Sequence, residues 1–168
     1  MKKLILIIAF IIPSIIKAQD CNFIEDKVDE FTNASLLATK PVRVTSGMYE
    51  IMVIGFRKVN DSYYLKMEYA QASGVIAKDD LLMFKMADST ILKIRSTETV
   101  TPNHFYISGI SNSSFSCKYS ITKEQIEKIS KLLVDKIRFY TTDGYFEVTV
   151  NEKNGLKLIN SAVCILSK

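Results

Sequence analysis

Ile137-Arg138-Phe139-Tyr140-Thr141-Thr142-Asp143-Gly144-Tyr145-Phe146-Glu147-Val148-Thr149-Val150 decides the fold. Asp143-Gly144 is a two-residue hairpin signal, because both positions accept positive φ at little cost. Folding about that pair sets Thr141 against Phe146, Phe139 against Val148 and Ile137 against Val150, all on one face. The opposite face carries Tyr140 with Glu147 and Arg138 with Thr149. Turn chemistry and apolar pattern agree, so the segment reads as an antiparallel hairpin with one buried face.

C-terminal to it, Asn151 can cap a last helix in which Leu156, Ile159, Val163 and Leu166 recur at helical spacing. Gly155 weakens that helix, and a terminal strand is the alternative. N-terminal to the hairpin, Thr122-Lys123-Glu124-Gln125 is a capping box. The helix it opens has a stripe of Ile126, Ile129 and Leu133 and is expected to end near Val134-Asp135.

Upstream, the period changes to two. Phe115, Cys117, Tyr119 and Ile121 alternate with Ser116, Lys118 and Ser120. Ser111 to Ser114 reads as a polar loop, and Phe105 with Ile107 as a short strand. Leu82, Phe84 and Met86 share a face, Ala87-Asp88-Ser89 turns the chain, and Leu92 and Ile94 return. Ser73-Gly74 and Lys78-Asp79-Asp80 mark further turns. Tyr63, Leu65, Met67 and Tyr69 form one face of a strand that follows a turn at Asn60-Asp61. Met48 to Phe56 is nearly all apolar, the pattern of a strand covered on both sides, and Val42 to Thr45 is a short β-branched run. Residues 20–39 admit two readings. Phe23, Ile24, Val28 and Phe31 fit one helical face, or the stretch is extended along a sheet edge. The sum is α+β: mainly an antiparallel β-sheet meander, with a central helix and a C-terminal helix.

The chain starts Met1-Lys2-Lys3, followed by Leu4 to Ile12 without a polar residue, then Pro13-Ser14-Ile15-Ile16-Lys17-Ala18. A cationic end, an apolar stretch and a small residue form the order of an export signal peptide. The expected division is a signal peptide over 1–18, cut between Ala18 and Gln19, and a single α+β domain over 19–168. The apolar run is too short to span a bilayer, which needs about 20 residues. No stable membrane anchor is therefore expected after cleavage. A lipid anchor on Cys21 is disfavoured, because Asp20 precedes it.

Removing Lys2, Lys3 and Lys17 from the 22 basic residues leaves 19 against 18 acidic ones. Nearly neutral, and without a basic stripe, the exported chain suggests no nucleic-acid partner. Export permits disulfides, and of Cys21, Cys117 and Cys164 one must stay free or pair between chains. Cys21 with Cys164 is the favoured pair, tying the two ends together. Cys117 falls on an apolar face.

Candidate chemistry is sparse. His104 is the single histidine and follows Thr101-Pro102-Asn103, which reads as an exposed turn. Glu25-Asp26, Asp29-Glu30 and Asp79-Asp80 fit wet faces and turns better than a carboxylate or calcium site. Metal-ligand cysteine spacing, phosphate loops, dinucleotide fingerprints and a G-x-S-x-G elbow are missing. No cofactor is expected. Among the aromatics, Tyr49, Tyr63, Tyr64 and Tyr69 cluster in sequence. Adjacent Tyr63 and Tyr64 must face opposite sides of a strand, which makes them the candidate binding surface. Asn33, Asn60 and Asn112 sit in N-x-S glycosylation patterns.

The leader ending Lys17-Ala18-Gln19, the phrase Asp29-Glu30-Phe31-Thr32, and Lys136-Ile137-Arg138 followed by Asp143-Gly144-Tyr145 resemble small uncharacterised secreted or periplasmic proteins of Bacteroidota. The resemblance covers about a tenth of the chain. It implies an exported domain, periplasmic or secreted, and brings no activity. The resulting expectation is a non-catalytic exported domain that binds a protein or cell-envelope component. A secreted hydrolase with a carboxylate- or His104-based site, or a small-ligand carrier, are the alternatives.

Overall fold

The computed structural model describes residues 21–45, 47, 51–71, 73–107 and 109–168. The expected leader lies outside them, as does Tyr49. The segment with two readings is extended. β1 (Phe23–Val28) and β2 (Ser35–Thr39) pair as an edge hairpin, and Asn33 turns it at φ 55°. Strands β3 (Val42–Arg43), β4 (Met52–Val59), β5 (Ser62–Ala70), β6 (Leu81–Met86), β7 (Ile91–Ser96), β8 (Asn103–Ile107) and β9 (Ile110–Ser120) follow. Helix α1 (Lys123–Ile129), strands β10 (Val134–Thr141) and β11 (Gly144–Thr149), and helix α2 (Glu152–Leu166) complete the chain. The fold is α+β. Its antiparallel sheet runs β1-β2-β4-β5-β9-β7-β6-β10-β11, with β3 also on β4 and β8 also on β9.

The sheet curls hard. β5 and β10 are four strands apart, about 19 Å along a flat sheet. Yet the Tyr69 and Phe139 rings sit 5.1 Å apart, edge to face, and Tyr69 also meets Phe146 at 5.5 Å. Inside the curl the alternating residues converge. Ile54 and Phe56, Leu65 and Met67, Cys117 and Tyr119, Leu82 and Phe84, and Ile137 and Phe139 are all buried. Both helices add to this core, α1 through Ile126 and Ile129, α2 through Leu158, Ala162 and Ile165. α2 touches β2, β3 and β4 on one side and β10 and α1 on the other, so it closes the open side of the curl. A bond between Cys21 and Cys164 fastens the chain before β1 to α2.

Four expectations change. The hairpin forms, but its register is shifted by two residues. Phe139 faces Phe146 and Ile137 faces Val148, and the loop residues are Thr142-Asp143. A shift of two preserves the faces. Its cause lies outside the hairpin. The Thr142 N–H donates to the Val75 carbonyl at 2.9 Å, and the Val75 N–H donates to Thr142 Oγ1 at 3.0 Å. Gly144, at φ +127°, then absorbs the return of the chain.

Ser111 to Ser114 is strand, not loop. His104 pairs with Ser113 and Phe105 with Asn112, while Ala70 of β5 pairs with Ser114. Ladder hydrogen bonds need only backbone, so the polar side chains do not prevent pairing. α1 ends early, at Ile129, where Ser130 caps it. Leu133 instead leads into β10, its carbonyl accepting from the Ala87 N–H at 2.9 Å. Helix α2 is present, with Asn151 Oδ1 accepting from the Asn154 N–H at 2.8 Å, but its buried face is rotated. Gly155, Leu158, Ala162 and Ile165 face inward, and Leu156 is 48% exposed. Gly155 lets the helix approach closely, since a Cβ there would stand 2.9 Å from Leu133 Cδ2. Cys164 must also turn inward to reach Cys21.

Candidate functional site: a basic sheet face

The outer surface of β7, β6, β10 and β11 is built by register. Lys85 sits between Lys136 and Ile91, and Met83 between Arg138 and Lys93. Each outward residue alternates with a buried one: Phe84 lies between Met83 and Lys85, Leu92 and Ile94 flank Lys93, and Ile137 lies between Lys136 and Arg138. Among the described residues, four cations, Lys85, Lys93, Lys136 and Arg138, therefore line one cleft with one carboxylate, Glu147, and Arg95 lies further along β7. Met83 and Ile91 floor a shallow cleft of about 290 Å³ between them.

Glu147 neutralises only part of this charge. It accepts from Lys136 Nζ at 2.7 Å and from Arg138 Nε at 3.0 Å. Those bonds hold its carboxyl below the ordinary carboxylate value, Lys136 contributing most. Arg138 also stacks over the Tyr145 ring at 4.3 Å. Lys85 and Lys93 have no ion pair among the described residues. Glu25, Asp26, Asp29 and Glu30 lie at the other end of the strand order, on β1 and its turn.

This face was hidden in the linear chain. No basic run exists, because its cations come from three strands separated by about fifty residues. The available signal was alternation: Met83 and Lys85, Lys93 and Arg95, Lys136 and Arg138 all lie opposite the apolar positions.

Tyr63 and Tyr64 lie on β5 and point to opposite sides, both half-buried. Lys58 Nζ stands 5.5 Å over the Tyr63 ring and Lys118 Nζ 5.3 Å over the Tyr64 ring. Both line an open cleft of about 560 Å³ next to the start of α1, with Lys58, Asp61, Lys123 and Glu124. His104 is exposed on β8 rather than in a turn. Glu25 pairs with Arg57 at 2.9 Å, and Asp26 with Lys168 at 2.8 Å. Asp29 closes its own turn by accepting from Thr32, and Asp80 accepts from the Ala77 N–H. Among the described residues, no group of three or more His, Cys, Asp or Glu gathers to hold a metal ion. No helix among them is long and apolar enough to cross a membrane. The concave side, where a carrier would hold its ligand, is filled by Phe56, Phe84, Phe115, Tyr119 and Phe139.

The chain matches no protein-family model, no curated protein and no solved structure.

Proposed function

We propose that this chain is an exported, non-catalytic binding domain that docks an acidic protein or an anionic envelope component on the basic face of β7, β6, β10 and β11. One observation carries the reading: among the described residues, four cations and a single carboxylate line a cleft floored by Met83 and Ile91. Long-range attraction steers an anionic partner to such a face, and the apolar centre provides contact area once water leaves. The nearly neutral composition of residues 19–168 makes the segregation informative, since a basic face here is not a by-product of overall charge. The Met1–Ala18 leader and the resemblance to secreted Bacteroidota proteins support export to the periplasm or beyond.

Cosedimentation of the purified chain with envelope isolated from the source cells tests the docking reading. Binding is expected to weaken as salt rises to about 0.5 M, where screening shortens to a few ångströms. It should be lost in a Lys85→Glu/Lys93→Glu double variant whose melting temperature is unchanged. Binding that ignores both salt and this variant overturns the reading. Mass spectrometry of the protein recovered outside the cytoplasm tests export, with Gln19 expected as its first residue.

A further inference from the structure

We infer that the cleft between the β2–β3 turn and α2 is a second binding site, for an anionic ligand of monosaccharide size: a sugar phosphate or a sugar acid. It shares no residue with the basic sheet face and stands independently of it.

The cleft follows from helical geometry. Lys157, Asn160, Ser161 and Cys164 are spaced i, i+3, i+4 and i+7, so they form one stripe along α2. Facing that stripe is the chain from Thr39 to Arg43, turned by Lys40-Pro41. The space between is about 350 Å³, at the small end of ligand pockets and too confined for a large cofactor.

Its charge is one-sided. Among the described residues, Lys40, Arg43 and Lys157 line it and no carboxylate does. Arg43 gives one N–H to the Gly47 carbonyl, while Lys40 and Lys157 have no ion pair among the described residues. Three cations lining one small concavity, with no carboxylate partner among the described residues, favour a ligand that brings its own negative charge.

The back wall adds a second preference. The buried Ser161 hydroxyl donates to Thr39 Oγ1 at 2.8 Å. With its proton used there, the hydroxyl of this lining residue keeps only acceptor capacity for a ligand. The carboxylate of a sugar acid or the dianionic phosphate monoester of a sugar phosphate has no proton to give it, whereas a sugar hydroxyl donates to it. Asn22 lines the same space.

The walls are held before any ligand arrives. The Cys21–Cys164 bond fixes one end, and the Lys40 N–H donates to the Asn22 carbonyl at 2.8 Å. Asn154 Nδ2 reaches the Thr45 carbonyl at 3.3 Å, pinning the start of α2 to the chain after β3. A site so braced loses little conformational entropy on binding.

The test is an amide chemical-shift titration of the full disulfide-bonded chain with glucose 6-phosphate, glucuronate, inorganic phosphate and glucose. Shifts confined to residues 39–43 and 157–164 are expected for glucose 6-phosphate or glucuronate, and whichever binds more tightly identifies phosphate or carboxylate as the anion. A Lys40→Gln/Lys157→Gln variant, altered only at exposed positions, should lose about tenfold or more in affinity. Ser161→Ala should weaken the sugar ligands more than it weakens inorganic phosphate. Glucose binding as well as glucose 6-phosphate, or no shift in these segments with any probe, overturns the proposal. So does an affinity loss that follows Lys85→Glu/Lys93→Glu instead, since the anion would then lie on the sheet face.

Discussion

Thr142 and Val75 exchange two hydrogen bonds at the tip of the β10–β11 hairpin, backbone to backbone at 2.9 Å and backbone to hydroxyl at 3.0 Å. Gly74, beside Val75, has φ +77°, and a Cβ there would lie 2.8 Å from Thr141 Oγ1 and 3.0 Å from the Asp143 backbone N. Gly74→Ala meets both a strained backbone and a crowded hairpin tip. It should cost about 2 kcal/mol in urea unfolding. Thr142→Val removes only an exposed acceptor and should cost about 1 kcal/mol or less. Equal stability of Gly74→Ala and the parent would show that the tip is not pinned.

The Thr39 hydroxyl bridges three elements. It accepts from the Phe56 N–H at 3.0 Å and from Ser161 Oγ at 2.8 Å, and it lies 3.4 Å from the Phe56 carbonyl. Thr39→Val would leave a buried amide and a buried hydroxyl without their acceptor, an expected loss of about 2–3 kcal/mol. Ser161→Ala leaves Thr39 otherwise satisfied and should cost about 1 kcal/mol. The double variant should cost less than the sum, because the two singles break one shared bond. Strict additivity in thermal or urea unfolding would contradict this network.

Much of the fold was legible because local signals agreed. The capping box at Thr122 and Gln125 forms with both reciprocal bonds. The faces Leu82-Phe84-Met86 and Phe115-Cys117-Tyr119 are buried as alternation requires. What failed depended on distant partners. The hairpin register is set by Val75, sixty-odd residues away, and the rotation of α2 by Leu133 and Cys21. The strand at Ser111–Ser114 shows no apolar alternation, since backbone pairing alone builds it. The basic face required knowing which strands are neighbours, which no linear pattern of lysines displays.

Joining Cys21 to Cys164 closes a loop with a sequence separation of 143. Chain-entropy reasoning gives such a closure up to about 5 kcal/mol. Reduction should lower the urea midpoint and expose the β1–β2 hairpin to protease first, because β1 is an edge strand whose one strand partner among the described residues is β2. Cys21→Ser/Cys164→Ser should reproduce the effect without reductant. Identical midpoints under oxidising and reducing conditions would show the bridge contributes nothing.

Burial pushes the Cys117 thiol up to about 11 from an ordinary 9.0, and burial likewise raises the neighbouring Tyr119 phenol. A raised folded value means the stabilisation is fully present below pH 9 and is lost as pH rises toward 11, where the unfolded chain ionises first. Two units correspond to about 2–3 kcal/mol for Cys117. Cys117→Ala should start less stable, for want of the buried sulfur, and lose less between pH 9 and 11. Parallel stability curves for the two proteins across that window would rule out the thiol as a source of the slope.

Glu147 is the carboxylate that lines the basic cleft, so stability and binding should respond to it in opposite directions. Its depressed pKa means the stabilisation it gives is present above the unfolded value and lost as pH falls through the folded one. Glu147→Gln should abolish that acid-side loss and lower stability slightly at neutral pH, because Lys136 and Arg138 lose their charged acceptor. The same substitution leaves the four cations of the cleft without their carboxylate. Affinity for an anionic partner should therefore rise severalfold at low salt, and the gain should vanish at high salt. Envelope cosedimentation of Glu147→Gln beside Lys85→Glu/Lys93→Glu reads this directly. Weaker binding by Glu147→Gln would mean that the partner needs a carboxylate on this face, and the electrostatic account of docking would be wrong.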